Sequence, residues 1–182
     1  AAPISEEPIL VLDKVSAADE TGASALEDIS LEVHAGEILG IAGVAGNGQR
    51  ELSQVLTGVR PVTSGQVFVD GKSMKVANAS AFAAFGIGHI PEDRLHSGLA
   101  PALSITTNAV MREYGKRPVS SGGLYNPRSA LALAKDIAAA ADVAIPDFGM
   151  PVRNLSGGNQ QRLVARREMR IADRVLVAAY PT

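Results

Sequence analysis

The order of apolar and polar residues predicts strands towards both ends of the chain and helices between them. Short runs that are alternately or continuously apolar are typical of strands. Such runs lie at residues 8–14, 26–34, 37–42, 66–70, 87–90 and 174–179. The run at 37–42 (EILGIA) predicts a buried strand, and the run at 66–70 with Gly71 after it predicts a hairpin.

Helical spacing governs most of the remaining apolar positions. After a glycine-rich stretch at 43–48, the residues Leu52, Val55 and Leu56 share one helix face, and Gly58 ends that helix. Further helices are expected at 77–85, 104–115, 128–143 and 158–171, with a loop around 118–127. Strands at both ends and a mainly helical middle predict an α/β parallel core with a β-rich front and a helical subdomain.

Composition and charge narrow the class of protein. The chain has 182 residues, enough for one well-filled domain, and its 46% hydrophobic and 20% charged residues are ordinary for a globular protein. A formal net charge of -2 provides no global basic field, so we expect no nucleic-acid partner. The absence of cysteine excludes disulfides, and the scattered histidines show no metal-ligand spacing. A membrane-spanning helix needs about 18 consecutive apolar residues, and no apolar stretch of the sequence is that long. Residues 1–8 are not typical of a signal peptide.

A candidate phosphate-binding loop, GVAGNGQR, runs from Gly43 to Arg50 between the expected strand at 37–42 and a helix. Glycines let the backbone turn sharply and direct N–H groups at phosphate oxygens, while the helix N-terminus adds a favourable dipole. Glycines at such a turn are equally compatible with an ordinary tight turn. The candidate nucleotide-binding residues are Gly43, Ala45, Gly46, Asn47, Gly48, Gln49, Arg50 and Glu51.

The loop departs from the P-loop pattern after its last glycine, where Lys and then Ser or Thr are expected. Gln49 can donate hydrogen bonds but brings no positive charge to the β- and γ-phosphates. Arg50 has no lone pair for Mg²⁺, and its charge would repel the ion. The residues of the loop therefore predict weak or absent Mg²⁺ binding.

A second motif, LSGGNQQR at 155–162, lies well downstream of the loop and shortly before the last apolar strand. It resembles the signature motif of ABC transporters nearly letter for letter, and with the loop it makes the whole chain resemble an ABC transporter ATPase domain. The resemblance implies a P-loop NTPase fold of the ABC type. Residues 1–90 and 172–182 would then form the α/β core with its β-rich subdomain, and residues 91–171 the helical subdomain.

Three short segments narrow the resemblance: GNGQ at 46–49, IPEDR at 90–94 and LSGGNQQ at 155–161. Together they resemble the second ABC domain of the fused ATPases of simple-sugar and nucleoside importers, with the glutamine at 49 favouring the nucleoside branch. In that family another ABC domain precedes this one in the same polypeptide. The D-loop and switch histidine of the family lie beyond residue 182, so we expect a C-terminally truncated domain with an exposed sheet edge.

The resemblance also implies a role for individual positions. Gly43, Gly46 and Gly48 match the phosphate cradle, and Glu92 stands where the Q-loop normally has glutamine. Ala179 matches the Walker B aspartate, and Tyr180 matches the catalytic glutamate. A methyl group holds no metal-bound water, and a phenol is a poor base at neutral pH. No catalytic residue is therefore expected to be intact.

ABC domains, by the same resemblance, dimerise head to tail, so that each ATP lies between one P-loop and the other domain's signature. Ser156 offers a hydroxyl, and the glycines after it allow close backbone approach at a helix N-terminus. The candidate signature residues are Leu155, Ser156, Gly157, Gly158, Asn159, Gln160 and Gln161. We hypothesise that this chain completes the ATP site of a partner ABC domain. ATP and Mg²⁺ would be cofactors of the assembly and weak or absent in this half-site.

The leading interpretation is an ABC domain that energises uptake of a nucleoside or simple sugar, bound to transmembrane permease subunits at the cytoplasmic face of the membrane. By itself the domain is expected to hydrolyse ATP weakly or not at all. Two alternatives stay open. A soluble ABC ATPase of DNA maintenance carries a similar signature but usually separates its halves by coiled coils, and no heptad run is found here. A regulatory sensor would bind ATP without hydrolysing it.

Overall fold

The computed structural model describes residues 4–44, 46–74 and 78–179, and these form two compact units. The first unit contains the described residues up to His89 together with Ile171–Ala179, and the second contains Ile90–Arg170. Each unit is organised around a hydrophobic cluster of its own. The strands are β1 (Pro8–Ala18), β2 (Ser24–His34), β3 (Ser64–Val69), β4 (Lys72–Ser73), β5 (Ile87–Ile90), β6 (Ser120–Ser121), β7 (Leu124–Tyr125) and β8 (Val175–Ala178). The α-helices are α1 (Gln49–Leu56), α2 (Ala79–Ala84), α3 (Ile105–Val110), α4 (Pro127–Ala140) and α5 (Gly157–Ile171).

An antiparallel sheet with the strand order β2-β1-β3-β4 forms the β-rich part of the first unit. Alternation along β1 buries Leu10 and Leu12, and a register shift after Leu12 then allows Val15 to be buried as well. The strands predicted at 8–14 and 26–34 and the hairpin predicted at 66–71 are confirmed.

Helix α1 packs against this sheet through the face that the sequence predicts. Leu52, Val55 and Leu56 are buried in the same cluster as Leu12 of β1. Gly58 follows the helix with a φ of 70°, in the left-handed region that commonly ends a helix. The glycine loop is thereby joined on its C-terminal side to a firmly packed helix.

The prediction of a buried strand at 37–42 is wrong. This segment forms no strand, and Ile38 and Ile41 are 96% and 50% exposed. An apolar run becomes a strand only where a neighbouring strand accepts its backbone hydrogen bonds. Within the described residues no strand pairs with it, since β5 and β8 form a two-stranded sheet of their own. The exposed sheet edge expected from the sequence stays a prediction.

Helices α3, α4 and α5 surround the cluster of the second unit, in which Ile105, Leu133 and Leu163 are buried. Asn108 of α3 is fully buried, and its amide NH2 group, which carries two hydrogens, lies within hydrogen-bonding distance of three carbonyl oxygens. These belong to Ala100, Leu103 and Ser104, at distances of 3.0, 3.2 and 3.0 Å. This amide fixes the loop that leads into α3.

The helices predicted at 128–143 and 158–171 are confirmed as α4 and α5. The helix predicted at 104–115 is divided, because α3 ends at Val110 and a 3-10 turn, Met111–Glu113, follows it. The predicted loop at 118–127 contains the short hairpin of β6 and β7. None of the helices within the described ranges is long and apolar enough to cross a bilayer.

Candidate functional site

The glycine loop at 43–48 ends at the N-terminus of α1. Gly46 and Gly48 have φ values of 89° and 81°, in the left-handed region that glycine adopts without strain. The carbonyl of Gly48 accepts the first helical hydrogen bond, from the N–H of Leu52 at 2.8 Å. In the part of the chain that the structure describes, no side chain caps this helix. Such an uncapped helix start is the geometry with which a phosphate-binding loop meets an anion.

Gly48 also lies against the backbone of β2. A Cβ atom at this position would be 2.6 Å from the carbonyl oxygen of Ala25 and 2.9 Å from Cδ2 of Leu26. Packing therefore requires glycine here whether or not a phosphate binds. The alternative of an ordinary tight turn remains compatible with this residue.

The side chain of Gln49 lies back over its own loop. Its Nε2 atom donates to the carbonyl of Ile41 at 3.5 Å and lies 3.2 Å from where a Cβ of Gly43 would stand. An intact P-loop places a lysine ammonium at this position, directed at the β- and γ-phosphates. A neutral amide here contacts the backbone of the loop instead and supplies no charge.

Arg50 points to the hairpin between β1 and β2. Its Nη2 atom is 3.3 Å from Oε1 of Glu20, and these side chains are 66% and 71% exposed. Mg²⁺ needs several oxygen ligands in a near-octahedral arrangement, and a guanidinium offers no lone pair. No group of three or more His, Cys, Asp or Glu side chains that could hold a metal is found within the described ranges. The residues of this loop therefore do not fit Mg²⁺.

The other predicted positions near this loop supply little chemistry. Ala45 and Tyr180 lie outside the described residues. The N–H of Asn47 donates to Val44 within the loop at 3.3 Å, and Glu51 lies in the first turn of α1. Ala179 follows β8 directly, and its methyl group can neither ligate a metal nor accept a proton.

The signature residues form the start of α5 in the second unit. Leu155 is buried, whereas Ser156 and Gly158 are exposed. The Ser156 Oγ atom accepts a hydrogen bond from the N–H of Asn159 at 3.3 Å, so this serine caps the helix. The predicted signature residues thus lie together at the N-terminal end of α5, a segment we call the signature turn, with Ser156 on the surface and Leu155 buried.

Gln160 is a polar residue inside this turn, only 5% exposed. Its Nε2 atom donates to the carbonyls of Leu155 at 3.0 Å and Val152 at 3.3 Å. Its Oε1 atom accepts from Nε of Arg94 at 3.3 Å. The sequence identified Gln160 as part of the signature but assigned no role to Arg94. The sequence signal for Arg94 is its place in the IPEDR segment, in which the resemblance implies a function for Glu92 alone.

Glu92 is exposed and follows β5 in the chain. The next residue, Asp93, caps a short π-helix, Arg94–Gly98, by accepting from the N–H groups of Leu95 at 3.0 Å and His96 at 3.1 Å. Hydrogen bonds from the backbone and the ring of His96 lower the pKa of the Asp93 carboxyl group. The carboxylate that organises this segment is therefore Asp93, next to the predicted Q-loop residue.

Arg167 is a second functional candidate that the sequence did not indicate. It is 3% exposed, and its Nε donates to Oε1 of Glu168 at 2.9 Å. Its two terminal nitrogens donate to the carbonyls of Asn108 at 3.0 Å and Gly98 at 2.9 Å. Burial lowers the pKa of this guanidinium, and the carboxylate of Glu168 opposes that shift. The buried cation connects α5 to α3 and to the end of the π-helix.

Solved structures of ATP-binding cassettes share this fold. A dimeric structure of the cassette MJ0796 bound to ADP and Pi is 21% identical in sequence, covers 95% of this chain and 74% of its own, and superposes with a TM-score of 0.77. A bacterial Atm1-family ABC exporter with ATP bound is 24% identical, covers 100% of this chain and 30% of its own, and gives a TM-score of 0.68.

Curated relatives extend the comparison to sequence. The guanosine import ATP-binding protein NupO of Bacillus subtilis is 38% identical over 96% of this chain and 34% of its own length. The glucose import ATP-binding protein TsgD13 of Haloferax volcanii is 39% identical over 97% of this chain and 32% of its own length. The chain thus spans about a third of the length of the curated relatives it matches.

A family model extends the match to most of the chain, since the model described as ABC transporter fits residues 26–179. This range includes both the glycine loop and the signature turn. The chain therefore belongs to the ABC transporter family.

Proposed function

We propose that this chain is an ATP-binding domain of an ABC importer, that its own ATP site does not hydrolyse, and that its signature completes the site of a partner ABC domain. The observation that carries the proposal is the exposure and burial of the signature residues at the start of α5. Ser156 is exposed at the start of a long helix, while Leu155 and Gln160 beside it are buried and hydrogen-bonded.

The glycine loop supports the part of this proposal that concerns the chain's own ATP site, which we expect not to hydrolyse ATP. The amide of Gln49 lies over the loop, and the guanidinium of Arg50 pairs with the carboxylate of Glu20 and offers no ligand to a metal. Ala179 offers no ligand at the end of β8. Removing a general base alone costs about 10²–10⁴ in rate. Because the phosphate cation and a metal ligand are replaced as well, hydrolysis at this loop should be negligible.

The names of the relatives support the choice of substrate class. Guanosine import and glucose import are the activities in those names. We infer that this chain energises uptake of a nucleoside or simple sugar, fused to a preceding ABC domain and docked at the cytoplasmic face on permease subunits. ATP and Mg²⁺ would then be held by the partner domain, with the signature turn approaching the γ-phosphate.

The test is Ser156→Arg in the full polypeptide that contains this chain, assembled with its permease. A long cation at the exposed turn blocks close approach to the partner's nucleotide, so ATPase activity should fall by at least about a hundredfold. Ser121→Arg is the matched control, since Ser121 is also an exposed serine of the second unit. It should retain activity. Unchanged ATPase activity in Ser156→Arg contradicts the proposal.

A nucleotide sensor is the second candidate, favoured by the left-handed Gly46 and Gly48 and the uncapped start of α1. Equilibrium binding of ATP to the chain in EDTA separates the two functions. Mg²⁺-independent binding at micromolar ATP supports the sensor, whereas no binding up to millimolar ATP supports a purely structural half-site.

A further inference from the structure

One face of α5 contacts the π-helix Arg94–Gly98 over two helical turns. Gln160, at the N-terminal end of this face, accepts a hydrogen bond from Arg94, and Arg167, at its C-terminal end, donates to the carbonyl of Gly98 at 2.9 Å. Between them, Cγ1 of Val164 lies 3.6 Å from where a Cβ of Gly98 would stand. Positions i, i+4 and i+7 share one face of a helix. The π-helix that follows Asp93 and the signature helix are therefore joined at both ends of the contact.

Arg94 reaches from the π-helix to the first turn of the signature helix. Its Nη2 atom lies 2.7 Å from the position that a Cβ of Gly157 would occupy. The guanidinium therefore uses space that exists because residue 157 has no side chain. Arg94 itself is half-buried, which restricts the positions its side chain can take.

The chemistry of the guanidinium decides which way the Gln160 amide faces. A guanidinium only donates hydrogen bonds, so the amide must present its oxygen to Arg94. The amide nitrogen then faces the opposite way, towards the carbonyls of Leu155 and Val152, to which it donates. Those carbonyls belong to the backbone immediately before Ser156. The orientation of one buried amide thus fixes the turn that presents the serine.

We propose that Arg94 is a positioning residue of the signature, which orients Gln160 and thereby holds the turn from Leu155 to Gly157. This inference rests on the proposed function, because it concerns the turn that completes the partner's ATP site. Arg94 acts through Gln160 and need not touch the nucleotide.

The test compares Arg94→Met with Arg94→Lys in the full polypeptide assembled with its permease. Methionine removes the donor, so the amide of Gln160 can turn, and kcat should fall by about ten- to a hundredfold. The KM for ATP should stay within about twofold, because the partner's P-loop holds the nucleotide. Lysine also only donates, so it should restore most of kcat.

Arg166→Met is the matched control, because Arg166 is an exposed arginine of α5, the helix that Arg94 contacts. It should keep kcat. Gln160→Glu provides a second test: it retains an acceptor for Arg94 but cannot donate to Leu155 and Val152, so kcat should fall as in Arg94→Met. The double variant should be no worse than the more impaired single one.

Three results overturn the inference: Arg94→Met with kcat within twofold of the parent, Arg94→Lys as impaired as Arg94→Met, or additive losses in the double variant. Thermal melting of each assembly identifies a variant that fails to fold, and in that case the Gln160→Glu result decides. The Ser156→Arg variant distinguishes failure of the Arg94 inference from failure of the proposed function. If Ser156→Arg is inactive while Arg94→Met is fully active, only the role of Arg94 fails. If Ser156→Arg is active, the proposed function itself fails.

Discussion

The glycine loop and the signature turn both place glycines at the N-terminus of a helix, yet their surroundings differ. At α1, Gln49 and Arg50 direct their side chains to the loop backbone and to an exposed carboxylate. At α5, a serine caps the helix, and behind it Gln160 is buried with hydrogen bonds at both ends of its amide. The start of α1 is thus contacted by its own side chains. The start of α5 is instead supported by a buried hydrogen-bonded amide and exposes its serine.

The comparison separates what the two helix N-termini share from what differs between them. A helix dipole and glycines are common to both turns, so these features alone do not separate a turn that binds an anion from one that does not. What distinguishes them is the direction of the polar side chains and the burial of the groups behind them. Three predictions test this comparison.

The largest effect is expected where the signature helix is anchored. Glu168→Leu removes the carboxylate 2.9 Å from Nε of Arg167 and leaves a buried cation without it. Breaking such a pair costs about 3–5 kcal/mol. Urea unfolding followed by circular dichroism should show this loss in the free energy of unfolding. Glu20→Leu is the control: Glu20 and its partner Arg50 are 71% and 66% exposed, so the loss should stay below about 1 kcal/mol. Equal losses in the two variants contradict the anchoring role.

An intermediate effect is expected where the glycine loop meets β2. Gly48→Ala introduces a methyl group 2.6 Å from the carbonyl of Ala25 at a φ of 81°, and we expect a loss of about 2–3 kcal/mol in unfolding free energy. Gly46→Ala shares the left-handed backbone at 89° but meets no atom within 4 Å. It should lose about 1–2 kcal/mol, from backbone strain alone. If Gly48→Ala loses less unfolding free energy than Gly46→Ala, Gly48 does not pack closely against β2.

The smallest effect is expected on restoring the P-loop pattern. The double variant Gln49→Lys with Arg50→Ser supplies a cation and a hydroxyl, so the affinity for Mg-ATP should rise by about tenfold, or about 1.4 kcal/mol. Hydrolysis should stay absent, because Ala179 still offers no ligand at the end of β8. Equilibrium dialysis measures the affinity, with Gln66→Lys as a control for added charge at an exposed position. Turnover by the restored variant would show that the loop residues alone had silenced the site.

Much of the fold was predictable from local pattern. The alternation at 8–14 and 26–34 and the helical spacing at Leu52, Val55 and Leu56 report how each segment prefers to bury its own side chains. The segment at 37–42 shows the limit of that reasoning. Its apolar residues predict a buried strand, yet Ile38 and Ile41 are exposed, because a strand also needs a partner that the segment does not carry.

The sequence by itself determined the chemistry of both turns: a glycine loop without lysine or hydroxyl, and an intact signature with its serine. The tertiary structure alone decided what holds the signature in place. Arg94 and Gln160 are 66 residues apart, and Arg167 reaches Gly98 across 69 residues. Periodicity describes one segment at a time, whereas a buried hydrogen bond depends on two distant segments arriving at the same point. For that reason only the tertiary structure identifies the residues that support the signature.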